Sequence, residues 1–368
     1  MSEEKELHPP KPRRRRREWL ARALLVAVST FFMLVTAEIA LRILGVCAPS
    51  PPGAGIDTTD AAGHGFFEYH PTLGWELVPG AEERLEDEEF DVAVKIDDAG
   101  LRGHRPIPRE RRPGRARIVV LGDSFTFGHG VEIGEAWPAL LDARLPAAEV
   151  VNLAVTGYGT DQQLLRFENR GLAYRPDLVL LGLFEGNVFR NTRLEQLGYP
   201  KPRFVLDGGE LELRGVPVPR ALERPSGLAR RSRLWSLVSG RGRELAEHLG
   251  MGEAWPVTGA IFDRLQAVCR EEGIRLGVVI IPKDRAITDR GPRRWVHDRT
   301  LAKIRALLDD RGIDHLDLTP ALRQHAAEEP AAELYFPLDG HWTPESHRVA
   351  AEAVADWLRA SAFPPEQD

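Results

Sequence analysis

The sequence predicts an α/β fold: a five-stranded parallel sheet with helices on both faces. Three observations carry that expectation. From Arg117 onward, short apolar runs alternate with helix-period segments, and such β-α alternation gives parallel strands through right-handed crossovers. The run "PDLVLLGLF" (176–184) is apolar from Leu178 on, as expected of a strand covered on both faces. With 43% hydrophobic residues among 368 and a formal net charge of −6, the chain can bury one large core, and wholesale disorder is excluded.

Taken in order, the chain opens on a targeting element. Five arginines, Arg13 to Arg17, precede an uncharged run from Ala23 to Ala37, and apolar periodicity continues through Ile39, Leu41, Ile43 and Leu44. The uncharged run alone falls short of the roughly 20 residues that span a bilayer. Extended over residues 23–45 it reaches that length, with Glu38 and Arg42 near one interface, where long side chains snorkel. The spacing therefore predicts a single-pass signal-anchor, with the basic tail 1–22 cytoplasmic and everything after it outside. Three other export signals compete. Val35-Thr36-Ala37 is similar to a signal-peptidase site, Arg16-Arg17-Glu18-Trp19-Leu20 has elements of a twin-arginine signal, and Leu44-Gly45-Val46-Cys47 is a weak lipoprotein pattern. All of them put the remainder on the same side of the membrane.

Residues 46–65 are a Pro/Gly/Ala/Thr linker. Residues 66–116 read as a small β-rich region, in which Val92, Val94 and Ile96 alternate onto one face. The main domain covers 117–360. Its strands are expected at Ile118–Leu121, Val150–Leu153, 176–184, "IRLGVVII" (274–281) and "DHLDL" (314–318). Helices are expected over "AWPALLDARL" (136–145), Thr160–Arg170 with a Thr160/Gln163 capping box, Thr258–Glu272, Leu301–Arg311 and Pro344–Ala360. An insertion at 189–256 interrupts the order. Its "RFVLDGGELELRG" is a hairpin signal, and a lid over the carboxyl edge and a passive excursion are both open readings of it.

The chemistry sits in four stretches, each at a predicted carboxyl end of a strand or in the last loop. In "LGDSFTFG", Ser124 follows a buried strand, where a turn with free amides can hold negative charge. In "NLAVTGYGTDQQ", Gly157 lets its amide approach a ligand closely. In "FEGNVFRN", Asn187 offers a side-chain NH₂ to an oxyanion. In "YFPLDGHWTPESH", Asp339 and His341 stand two apart, and in extended backbone they would share one side. Taken singly, each also fits an ordinary turn, loop glycine, Asx turn or helix cap. His129 has two open readings, a pocket-lining residue or a loop histidine, and Lys283, on the active edge, is open to an anionic substrate or to no role; Glu185, Asp123 and the helical Cys269 have no required part. Two cysteines, Cys47 and Cys269, and the lack of any Cys/His spacing suited to zinc predict no structural metal and no cofactor. The mild acidity gives no reason to expect nucleic acid as a partner.

Together these four stretches resemble the blocks of the SGNH, or GDSL-type, hydrolase superfamily, over about Arg117 to Ala360. The resemblance implies a flavodoxin-like three-layer sandwich with Ser124 as nucleophile and Asp339 and His341 completing a triad. It also implies an oxyanion hole from Ser124, Gly157 and Asn187. Two departures stand out. Val188 follows Asn187 where the family has Asp, and Asp339 and His341 are separated by Gly340 alone. The short Asp-x-His block followed by Trp-Thr-Pro is similar to the alginate O-acetyltransferase-like branch. Three functions follow as expectations: an esterase on acylated carbohydrate or lipid, an O-acyltransferase of envelope glycans with an acyl-donor partner protein, and a non-catalytic glycan-binding relative.

Overall fold

The computed structural model describes residues 13–43, 65–220, 252–289 and 291–363. The chain divides into two compact units, residues 1–51 with 224–245, and residues 52–223 with 246–368. In the first, the described residues form one helix, α1 (Arg13–Ile43). Its stretch Glu18–Ala40 is long and apolar enough to cross a membrane, and none of that stretch is buried in protein. A signal sequence has the same character, so α1 is a candidate membrane span or signal-anchor. The linker 46–64 lies outside the described residues.

The second unit starts with two antiparallel hairpins, β1 (Phe67–His70) with β2 (Gly74–Leu77), and β3 (Glu82–Glu86) with β4 (Asp91–Lys95). Val92, Val94 and Ile96 are buried, as their alternation predicts. The parallel sheet follows, with β5 (Ala116–Leu121), β6 (Ala148–Asn152) and β7 (Leu178–Phe184). The insertion then adds β8 (Glu195–Gln196), β9 (Tyr199–Pro200), β10 (Arg203–Asp207) and β11 (Glu210–Arg214). The last two sheet strands are β12 (Arg275–Ile281) and β13 (Asp314–Asp317), and the order is β13-β12-β7-β5-β6. All five expected strands are present and every pairing is parallel. The order reverses about β5, so the crevice at the carboxyl ends of β5 and β7 is the switch point where such sheets bind ligands.

Strand alternation divides the core. Ile118, Val120, Leu180 and Val279 face α3 (Trp137–Arg144) and the final helix, burying Trp137, Leu141, Val354 and Leu358. Val119, Leu121, Leu181 and Val278 face the other way, with Leu164 of α4 (Thr160–Arg166) and Ile261 of the helix Ala254–Glu271. The β-rich region is bound to this second layer. Gln162 Nε2 donates to the Leu73 carbonyl at 2.7 Å, and Glu76 pairs with Arg166 and Arg170, each at 2.5 Å. These ionic contacts are buried or half-buried and mutually satisfied, the condition under which a charge can be taken out of water.

Three helix starts differ from the sequence reading. α4 is capped by Gly159, whose N–H donates to Gln162 Oε1 at 3.4 Å, and the buried Thr160 hydroxyl has no partner among the described residues. That helix turns into a π turn at Phe167 instead of running to Arg170. The helix expected from Thr258 begins at Ala254, and the one expected from Leu301 begins at Pro292. Prolines near those starts read as loop, yet a first turn needs no proline N–H. The Asp-Gly-Gly hairpin forms as expected: Asp207 pairs with Glu210, and Gly208 and Gly209 both take positive φ. Residues 221–251 of the insertion lie outside the described residues.

Candidate active site

The strand β5 delivers its end into a very tight turn. A Cβ on Gly122 would sit 2.2 Å from Thr126 Oγ1, so only glycine lets the chain fold back there. Asp123 then caps the single-turn helix α2 (Ser124–Phe127), its side chain accepting the Phe125 N–H at 3.1 Å. Ser124 is therefore the first helical residue, with its N–H at the open end of the turn. It is 3% exposed.

Ser124 Oγ lies 2.7 Å from His341 Nε2, and His341 Nδ1 lies 2.6 Å from Asp339 Oδ1. The Asp-Gly-His segment is a turn and not the extended stretch expected: Gly340 has φ +84°, and Asp339 Oδ1 also accepts the His341 N–H at 3.1 Å. The turn is held from outside the sheet. Glu89, between β3 and β4, accepts the N–H groups of Leu338 at 2.9 Å and Asp339 at 2.7 Å. The other Asp339 oxygen is 3.7 Å from His129 Nε2. Burial pushes the Asp339 carboxyl upward, but the imidazoles of His129 and His341 outweigh it and hold the group far below the usual carboxylate range. Burial also lowers the His129 pKa, which favours a neutral ring. His129, Asp339 and His341 form the one cluster compact enough for a metal ion among the described residues. Both His341 nitrogens are already engaged, by Asp339 and Ser124.

Gly157 follows β6 with φ +84°, beneath the side chain of Leu197; a Cβ there would meet Leu197 Cδ1 at 2.6 Å. Trp75 Nε1 braces the same loop by donating to the Thr156 carbonyl at 3.1 Å. Asn187 does not stand where the sequence reading put it. It opens α5 (Asn187–Arg190), is fully buried, and donates from Nδ2 to Asp123 Oδ2 at 3.0 Å and to the Tyr158 carbonyl at 3.1 Å. Its Oδ1 accepts the Phe184 N–H at 2.9 Å. With both amide hydrogens engaged inside the protein, Asn187 frames the site and does not face it. One turn further on, Arg190 does reach the cavity.

That cavity, about 320 Å³, joins Ser124, His341, Gly157 and Arg190 on one side. Its apolar wall is Phe66, Phe67, Leu85, Leu197 and Tyr199, all from the β-rich region and the insertion. The loops at the carboxyl edge of the parallel sheet and the turn before the last helix thus supply Ser124, Gly157 and His341, Arg190 comes from the start of the insertion, and the appended elements supply the apolar wall. Sequence reading missed Glu89, Arg190 and this wall. Of these, only Arg190 left a signal, at three residues past Asn187 on a short helix. Lys283 caps a neighbouring helix outside the lining, Glu185 pairs with His297, and burial pushes the Cys269 thiol up to about 12.

The Asp339–His341–Ser124 line resembles the arrangement expected of an SGNH/GDSL-type enzyme, and two segments of the chain match family models of that kind. The GDSL-like lipase/acylhydrolase family matches residues 120–186, and the SGNH hydrolase-like domain of acetyltransferase AlgX matches residues 243–368. The first segment holds Ser124 and Gly157 and the second holds Asp339 and His341, so the chain resembles both branches. Among solved structures, an acetyl xylan esterase, AlAXEase, is 14% identical, covering 66% of this chain and 99% of its own, with a TM-score of 0.42. LAE5, an alpha/beta hydrolase from the metagenome of Lake Arreo, Spain, is 18% identical, covering 68% and 97%, with a TM-score of 0.41. The psychrotrophic esterase EstA from Pseudoalteromonas sp. is 13% identical, covering 67% and 97%, with a TM-score of 0.38. No curated protein matches the chain.

Proposed function

We propose that this chain breaks ester bonds of O-acylated carbohydrate or lipid through an acyl-serine at Ser124, on the outer side of a membrane to which α1 anchors it. The observation that carries the reading is the hydrogen-bonded line Asp339–His341–Ser124, with contacts of 2.6 and 2.7 Å. His341 Nε2 takes the Ser124 proton as Oγ attacks the carbonyl carbon, and the carbonyl oxygen becomes an oxyanion. Asp339 fixes the tautomer that leaves Nε2 free to accept, and stabilises the imidazolium. The Ser124 and Gly157 amides face the oxyanion. Collapse expels the alkoxide, which takes the proton from His341. An incoming hydroxyl then attacks the acyl carbon as His341 removes its proton, and collapse breaks the bond to Oγ, with His341 returning that proton to Ser124. No step calls for a metal or cofactor.

Water as that hydroxyl gives an esterase; a glycan hydroxyl gives an O-acyltransferase. The match of residues 243–368 to the AlgX acetyltransferase domain favours the second acceptor as the alternative, and an acyl-donor partner belongs to that alternative. The assembled relay argues against a purely glycan-binding role. The test is p-nitrophenyl acetate with full-length wild type and Ser124→Ala in detergent micelles, following phenolate release and intact mass together. Steady Ser124-dependent turnover supports the esterase. A burst with a lasting acetyl-enzyme supports the transferase, and equal traces for both proteins refute Ser124 catalysis.

A further inference from the structure

We propose that Arg190 is a catalytic residue: its guanidinium is the third donor to the oxyanion, in the place that Asn187 does not fill. The inference rests on the acyl-serine reading above and adds a residue to it. Arg190 lines the cavity beside Ser124 and Gly157, with its side chain 15% exposed. Its Nη1 donates to Asp123 Oδ2 at 2.7 Å and to the Tyr158 carbonyl at 3.2 Å. Asp123 precedes Ser124 and Tyr158 follows Gly157. The guanidinium is therefore tied to both walls of the site whose amides are the other two donors. Beneath it lies the Phe184 ring, 5.4 Å away, itself stacked on Phe125 at 4.6 Å. Such bracing holds a donor in place before charge develops, so that little reorganisation is needed during reaction.

The hydrogens on Nε and Nη2 are engaged by no described residue, and arginine carries donors on all three nitrogens. Asp123 neutralises the charge when the site is empty, which makes burying the cation tolerable. As a carbonyl oxygen becomes an anion, a charge-assisted hydrogen bond to it strengthens relative to the ground state. Arg190 stays protonated throughout; the Ser124 proton goes to His341 and then to the leaving alkoxide.

The test uses full-length wild type, Arg190→Gln, Arg190→Lys and Ser124→Ala, assayed with p-nitrophenyl acetate and its thiono analogue. In the analogue C=S replaces C=O, and sulfur is a poor hydrogen-bond acceptor. Arg190→Gln is expected to lower kcat for the oxo ester about 10²–10³-fold, with KM changed far less. The oxo-to-thiono rate ratio should fall with it, and Arg190→Lys should recover part of both. A residue that only braces Asp123 would slow the two esters alike, so a ratio held at the wild-type value overturns the proposal. Unchanged oxo turnover overturns it as well. If Arg190→Gln does not fold, Arg190→Lys, which keeps a cation beside Asp123, decides the matter: a ratio below that of wild type supports the proposal, and a ratio held at the wild-type value overturns it. Should wild type release no more phenolate than Ser124→Ala, the acyl-serine reading itself falls and takes this inference with it. That outcome is distinct from one in which Ser124-dependent turnover persists without Arg190.

Discussion

Two side chains away from the reacting atoms show how residue-level contacts set function and stability. Glu89 grips the backbone ahead of His341 through two N–H groups, so it positions Asp339 without touching substrate. Glu89→Ala should lower kcat about ten- to hundredfold, the scale of a small misplacement, while the thermal midpoint moves far less because Glu89 is only half-buried and lies outside the apolar core. Glu89→Gln keeps one acceptor oxygen and should retain most of the rate; steady-state kinetics on both variants check this. His347 acts on stability. It is fully buried and accepts the Trp137 N–H on Nδ1 at 3.2 Å, and burial pushes its pKa from 6.5 down to about 3. Between those values the unfolded chain binds a proton that the folded chain refuses. Its contribution is therefore complete above pH 6.5 and lost progressively as pH falls toward 3. His347→Gln should flatten that fall, seen as a smaller drop in unfolding midpoint between pH 7 and pH 4.5 than wild type shows.

At the scale of elements, the nucleophile turn depends on two glycines facing one threonine. A Cβ on Gly182 of β7 would meet Thr126 Oγ1 at 2.2 Å, as would one on Gly122. Gly182→Ala should destabilise the protein by about 1–3 kcal/mol through overpacking, measured by denaturant unfolding. Adding Thr126→Ala should return most of that loss, because the two sites share the clash. The first four strands were legible because each centres on an apolar run bounded by turn residues, and the fifth from its place after a helix stopped by Gly312; the Ser124 and Gly157 positions follow from strand ends, and Asp339 and His341 from the loop before the last helix. Helix starts at Ala254 and Pro292 were not legible, since "PRRWVHDRT" is polar without apolar period and its stability comes from packing. Asn187 was misplaced for a related reason. Its spacing fixes the turn it occupies, whereas the direction of its amide depends on Asp123 and Tyr158, which only the folded chain brings close.

Across the whole molecule, α1 and the Ser124 site belong to separate units joined by chain outside the described residues. If α1 is an uncleaved anchor, full-length protein should stay with membranes after alkaline carbonate washing, and deletion of residues 13–43 should release it. A cleaved signal would instead leave a shortened mature chain in the soluble fraction. The apolar wall carries a different consequence through Leu197. This leucine sits over Gly157 with φ +54° and is 50% exposed, in a backbone region that suits asparagine or glycine better by about 1–2 kcal/mol. Laboratory evolution would therefore pull one codon in opposite directions. Selection for heat resistance should replace Leu197 with Asn or Gly, whereas selection for discrimination against bulky acyl chains should return Leu.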